Sequence, residues 1–217
     1  MSNPRSCSGC TLCCKLLPMS AQINFSPEMV EASIQLGLIS AAQAANSLRD
    51  FDKPAGQRCP HQRHNKGCSV YERRPLGCRF WNCRWLVSDD TAELSRPDRS
   101  HYVIDISPDY VTYTDNATGA KVTVPVVQIW CDPAYPDAHR DPALRAFLER
   151  RAAEGQAGLV RYNELDALLI VAPAMTADGK WCEHRPDRTN TETHTVLDKL
   201  KALGSLSLTL AAKEASS

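Results

Sequence analysis

Apolar positions change period along this chain, and the changes divide it. From Lys15 to Phe51 the spacing is helical. Ser26-Pro27-Glu28 has the chemistry of a helix start: a hydroxyl cap, proline at the first helical position and acid in the first turn. Met29, Val30, Ile34 and Leu38 follow near one face, and Gly37 offers a stop. Ser40–Leu48 predicts a second, alanine-rich helix, and together the two helices are expected to wall off the segment before them. Asp52–Gln57 reads as a turn. Ser69 and Glu72 have capping-box spacing, which predicts a short helix starting at Cys68 and ending before Pro75. Asp89–Ser100 is polar and loop-like.

Beyond it the period becomes two. His101–Ile106 and Tyr110–Thr114 predict strands, Asp115–Gly119 a turn, and Lys121–Trp130 a long β-rich run. Pro125 interrupts that run and predicts an edge or a bulge. Asp141 and Pro142 cap a helix reaching about Ala153, with Leu144, Phe147 and Leu148 facing inward. Leu159–Tyr162 and Ala167–Ala172 read as a strand pair or as a helix start followed by a strand. Asn190 or Thr191 caps a last helix to Leu203, stopped by Gly204. Consecutive strands with short links predict an antiparallel meander. The expected class is α+β: a helical, cysteine-rich N-terminal half around one or more metal sites, packed on a small antiparallel sheet with C-terminal helices. Residues 1–90 form the cysteine region, 91–204 the sheet and helices in one compact unit with it, and 205–217 a flexible tail.

Composition narrows the function classes. The 217 residues are 43% hydrophobic, enough for a core, and carry a formal net charge of zero. No global field draws nucleic acid or a membrane surface. The N-terminus has no apolar stretch of signal-peptide type, and no run approaches the roughly 18 apolar residues a membrane span needs. A soluble cytoplasmic protein is expected. Ten cysteines in such a compartment point to ligands rather than disulfides.

The cysteines are not scattered. Ser6–Lys15 reads S-C-S-G-C-T-L-C-C-K, with Cys7, Cys10, Cys13 and Cys14 in one short loop. A C-x-x-C step lets two sulfurs reach one ion. Two overlapping steps and a doubled cysteine are far more specific than one, and Ser8, Gly9 and Thr11 are too polar for a core run. Neighbouring Cys13 and Cys14 point in different directions, so they suit two centres side by side or one ligand and one spare thiol. More sulfur is available at Cys59, Cys68, Cys78 and Cys83. Eight thiols suit two four-coordinate ions, one cubane cluster plus a zinc, or one cluster with spare ligands. Gly67 and Gly77 each precede a candidate ligand. Arg58, Arg63, Lys66, Arg73, Arg74, Arg79 and Arg84 surround the second block with only Glu72 as acid. Thiolate-rich centres are negative, so Arg74 and Arg79 are candidates to hold a cofactor's charge. A solvated basic face is the plainer alternative.

Residues 7–14, with Cys59, Cys68-Ser-Val-Tyr-Glu-Arg-Arg-Pro, Cys78-Arg and Cys83, resemble the CxxCxxCC family of bacterial cysteine-cluster proteins. The resemblance covers about residues 5–90. It implies zinc, iron or iron–sulfur binding through Cys7, Cys10, Cys13, Cys14, Cys59, Cys68, Cys78 and Cys83, with no settled reaction. A 4Fe–4S cluster is expected slightly ahead of zinc, because four cysteines in one loop is sulfur-heavy and histidine is scarce. Flagellin lysine methylases share a similar cysteine pattern, but no Gly-rich strand-to-helix loop is present here for a nucleotide-like methyl donor. An iron–sulfur modifying or redox enzyme and a structural zinc module for protein contacts are the alternatives. The expected partners are the metal or cluster and a protein, not nucleic acid or membrane.

Other chemistry-bearing residues fall outside this pattern. His61 and His64 lie between candidate ligands and read as bystanders or donors to them. Phe80, Trp81 and Trp85 are core or shield. Cys131 and Cys182, each after a tryptophan, read as partly buried free thiols, with a redox role beside His184 as the alternative for Cys182. No Ser-His-Asp order, P-loop, H-E-x-x-H or G-x-G-x-x-G occurs.

Overall fold

The computed structural model describes residues 5–7, 9–20, 25–63, 66–107, 109–115, 118–163, 165–175, 177–178, 180–185 and 191–195. His64 and the segment from 196 to 217 lie outside these residues. The elements in order are α1 (Leu12–Leu16), α2 (Pro27–Gln35), α3 (Ala41–Ala45), β1 (Gln62–Arg63) and β2 (Gly67–Cys68). Next come α4 (Leu76–Phe80), α5 (Arg84–Val87), α6 (Pro97–Ser100), β3 (Tyr102–Ile104), β4 (Asp109–Thr114) and β5 (Lys121–Cys131). The last are α7 (Pro142–Ala153), β6 (Ala157–Arg161), β7 (Ala167–Met175), β8 (Trp181–His184) and β9 (Thr191–Thr195). The structure is of mixed helix and strand, with an antiparallel sheet. The sheet order is β8-β7-β6-β5-β4-β9, and β3 pairs with β5.

The caps behave as their chemistry requires. Ser26 accepts from the Met29 amide, with Pro27 at the first position of α2. Ser40 and Gln43 form a reciprocal capping box on α3. Asp141 accepts from the Ala143 amide at 3.1 Å and opens α7. Leu144, Phe147 and Leu148 are fully buried, each burial contributing roughly 1.5–3 kcal/mol.

Four expectations change. No residue of α2 or α3 is buried, and Met29 is 48% exposed. These helices therefore do not wall off the cysteine loop. The turn after Cys68 is a three-residue 3-10 helix, Tyr71–Arg73, with no side-chain cap. Cys68 lies instead in β2, paired with Gln62. Two-residue pairing and Pro75 leave room for one tight turn only. Pro125 does not make β5 an edge strand: β5 is interior in the sheet order, and its register with β4 passes through Tyr110–Pro125 unbroken. Thr191–Thr195 is a strand pairing Tyr113 to Asp109 of β4, not the start of a helix. The alternation T-E-T-H-T has period two, and the hydroxyl-capping reading competed with it. The remainder of that expected helix lies outside the described residues.

The chain forms two compact units that do not follow chain order. The first holds Met1–Ile106, Ile129–Phe147 and Val160–Ala167. The second holds Ser107–Gln128, Leu148–Leu159 and Leu168–Ser217. Within the first, Cys10, Leu12, Leu16, Cys83, Val103 and Trp130 make one buried cluster, with Cys13, Leu17, Trp81, Trp85 and Leu86 packed on it. The cysteine loop is thus part of a core. Within the second, Val111 and Val126 are buried in the β4–β5 ladder, and Thr112 and Thr123 hydroxyls meet at 2.8 Å on its other face.

Candidate metal centres

The cysteine loop is built by two local devices. Gly9, at φ 77°, and the Cys10 amide bonding to the Cys7 carbonyl at 3.1 Å turn the chain back on itself. Then α1 begins, anchored by buried Leu12 and Leu16. Cys13 and Cys14 are successive residues on that helix, so their side chains leave it about 100° apart.

The second block is tied to this loop by backbone. The Cys59 amide donates to the Cys14 carbonyl at 3.0 Å. Gln62 Nε2 donates to Thr11 Oγ1 at 2.7 Å. Gly67, at φ 83°, lies against the Gly9 amide: a Cβ there would stand 3.6 Å from that nitrogen. Gly77 is needed for a different reason. Its amide donates to Asp50 Oδ1 at 3.1 Å, and a Cβ would come within 3.0 Å of the same oxygen. Cys78 follows inside α4, and Cys83 precedes α5.

The thiols fall into two sets. Cys7, Cys10, Cys13 and Cys83 line one cavity of about 10 Å³, closed by Trp85, Leu86, Pro97 and Val103. All its other walls are apolar. Burial pushes the Cys83 thiol up to about 11, with Cys7 and Cys10 adding in the same direction. The other four are Cys14, Cys59, Cys68 and Cys78. Burial pushes Cys78 up to about 12, reinforced by Cys14, Cys59, Asp50 and Cys68, and burial raises Cys59 with Cys14 and Cys68 acting alike. Met19 Sδ lies 3.4 Å from Cys78 Sγ.

Cys13 and Cys14 join the sets. Hydrogen bonding to Cys14 and Cys7, together with burial, pushes the Cys13 thiol well up. In return its bond holds Cys7 down to about 6, helped by Arg74 and Arg96 against burial. Cys14 is lowered by the same Cys13 bond. Thiols that share protons release them together when a cation replaces those protons.

Among the described residues, no three His, Cys, Asp or Glu side chains already stand at the spacing of a formed metal centre. All ten cysteines are free thiols. Four sulfurs on one small, water-poor cavity nonetheless fit the all-sulfur donor set of zinc, iron or an iron–sulfur cluster. A cavity this size takes about one water-sized sphere.

The neighbouring candidates take other positions. The Arg74 guanidinium stacks on Tyr71 at 4.3 Å and reaches Cys7 only through its field. Arg79 is buried and bonds Ser47 Oγ at 2.8 Å and the Glu72 carbonyl. Arg84 pairs with Asp90 at 2.8 Å. The His61 ring lies edge-on to Phe51. Trp81 Nε1 donates to Asp105 at 3.0 Å and Trp85 Nε1 to the Leu94 carbonyl at 3.0 Å, so both indoles are fixed, half-buried side chains packed on the core. Phe80 packs on Phe25. Cys131 is buried at the end of β5, and Cys182 is half-buried in β8.

One residue escaped the sequence reading. Lys53, in the segment read as a turn, is 4% exposed. Burial pushes its ammonium down, against smaller opposing contributions from Cys59, Cys14, Cys13 and Cys78, and its Nζ donates to the Gln57, Pro54 and Lys15 carbonyls. The only signal was a lysine pinned between Asp52 and Pro54, which surface turns also show.

No helix among the described residues is long and apolar enough to cross a membrane. No curated protein and no solved structure matches the chain. Residues 6–97, which hold both sets of thiols, match the CxxCxxCC family, described as a "Putative zinc- or iron-chelating domain".

Proposed function

We propose that this protein binds zinc or iron in two adjacent four-thiolate centres. Cys7, Cys10, Cys13 and Cys83 would hold one ion, and Cys14, Cys59, Cys68 and Cys78 the other. The observation that carries this reading is the shared cavity of the first four thiols, drawn from both ends of the cysteine region. The second set rests on the mutual influence of its thiols. The doubled cysteine then has a simple physical use: one helix turn sends one sulfur to each centre.

Bound ions would crosslink the loop to the second block and supply folding free energy. The chain's own residues hold the thiols at hydrogen-bonding range, exclude water with Trp85, Leu86 and Val103, and turn Cys13 and Cys14 apart. Protons leave the buried thiols as the ion enters, so loading is favoured as pH rises through the thiol range.

A 4Fe–4S cluster is the second reading. The donor set contains no histidine, which favours sulfur-rich iron chemistry. The small cavity weighs against it, because a cubane would need the loop and Cys83 to move apart. Purification without oxygen, followed by a visible spectrum and counts of iron, zinc and sulfide, separates these readings. Two ions per chain without sulfide is the expected result. Sulfide in proportion to iron, with absorbance that dithionite bleaches, selects the cluster and the redox roles that go with it. A metal-free protein with full secondary structure overturns both.

A further inference from the structure

We infer that the cleft between the α6–β3 corner and the loop joining β5 to α7 is a binding site for a small planar aromatic acid. The stacked rings of His101 and Tyr135 take the ligand's ring, and Arg99 takes its carboxylate. The inference stands on geometry apart from the thiols and does not rest on the metal reading.

The cleft has a volume of about 640 Å³, with Arg99–His101 on one wall and Ala134–Asp141 on the other. Small-molecule sites run from roughly 300 to 1,000 Å³. Both walls belong to the first unit. The His101 and Tyr135 rings lie parallel within 5°, their centroids 3.6 Å apart. Tyr135 is still 48% exposed, so the stack leaves aromatic surface open. A planar ligand extends such a stack at little entropic cost, because both rings are already ordered.

Backbone holds the rings in place. His101 has φ 63° and is the one non-glycine residue with positive φ among the described residues. It ends α6 in the left-handed conformation, which glycine adopts without a Cβ penalty. An imidazole at such a strained position is the pattern of a side chain kept for what it touches. The turn is fixed from both sides. The His101 amide donates to the Pro97 carbonyl at 2.9 Å, and the His101 carbonyl accepts from the Asp132 amide at 2.9 Å. Asp132 also fixes the opposite wall. Its carbonyl accepts from the Tyr135 amide at 2.7 Å, its Oδ1 accepts from the Ala134 amide at 3.1 Å, and Lys15 of α1 clamps its carboxylate.

Charge selects the other end of the ligand. Arg99 is exposed, and its guanidinium has no hydrogen-bond or ion-pair partner among the described residues. The other charged groups on the walls are engaged. Arg140 pairs with Asp137 at 3.1 Å. Asp141 accepts from the Tyr102 hydroxyl at 2.9 Å and from the Ala143 amide at 3.1 Å. A guanidinium beside a ring stack suits a flat ring bearing a carboxylate, which its parallel N–H donors match.

The test is titration of 2-naphthoate into the full chain, followed by the NMR signals of the His101 and Tyr135 rings. 2-Naphthamide lacks the charge and cyclohexanecarboxylate lacks the flat ring. 2-Naphthoate should bind at about 1 mM, and each control about fivefold or more weakly. Arg99→Gln should bring the acid to the level of the amide and leave the amide unchanged. Tyr135→Leu should weaken both by about fivefold. Both side chains are exposed, so the fold tolerates these changes. His101→Gly separates ligand from turn: it should hold or raise the thermal midpoint while weakening both ring ligands. No binding of 2-naphthoate up to about 10 mM overturns the inference. So does equal binding of cyclohexanecarboxylate, binding unchanged in Arg99→Gln and Tyr135→Leu, or a His101→Gly protein that binds as the parent does.

Discussion

At the scale of single residues, each proposed centre can be tested one thiol at a time. Serine at Cys10 should remove about one ion per chain, and serine at Cys78 the other, with metal counting as the readout. Cys182→Ser should remove none, since Cys182 lies in β8, which pairs with β7. Cys131 supplies a different test. Burial pushes its thiol up to about 12, against a backbone hydrogen bond with His139 and with Asp132 adding to the rise. Below about pH 9 both folded and unfolded chains keep that proton. Between about 9 and 12 the native state keeps it while the unfolded state releases it. The unfolded state then binds fewer protons, so stability falls as pH rises, by at most about 1.4 kcal/mol per pH unit. In metal-loaded protein, urea unfolding of Cys131→Ala across this range should show a shallower loss than the parent. Equal slopes would mean that Cys131 does not titrate in this window.

At the scale of elements, the short pieces matter more than the long ones. α1 has five residues and could not persist alone. It is held by Leu12 and Leu16 in the core and by Cys59 on the Cys14 carbonyl. β2 depends on Gly67 at φ 83° beside the Gly9 backbone. An alanine there has room, since 3.6 Å is ordinary contact, but not the conformation. Gly67→Ala should cost about 1–2 kcal/mol and lower occupancy of the centre containing Cys68 before the other. Thermal unfolding with metal counting measures both. An unchanged midpoint would show that the turn relaxes without strain.

At the scale of the molecule, metal and fold are linked through the first unit. Trp81, Trp85 and Trp130 all belong to it, and Trp85 lines the cavity of the first four thiols. A strong chelator should therefore shift tryptophan emission and lower the unfolding midpoint of that unit first. Far-ultraviolet signal from the β4–β5 and β4–β9 ladders should survive longer. Coincident loss of both signals would mean that the two units unfold as one.

The sequence by itself determined the local features. Spacing of the cysteines marked the loop and the second block. The hydroxyl cap at Ser26, the Asp141 cap and the period-two strands β3 to β5 were all readable, because each depends on residues within one or two turns. Only the tertiary structure decided how Cys83 joins Cys7, Cys10 and Cys13, that Lys53 is buried, and that Arg79 turns to Ser47. Those outcomes depend on which remote segments meet, and a backbone bond such as Cys59 to Cys14 has no signature in spacing. The same limit explains Thr191–Thr195: its pairing partner lies in β4, far along the chain, so a local cap signal spoke for a helix that the sheet replaced.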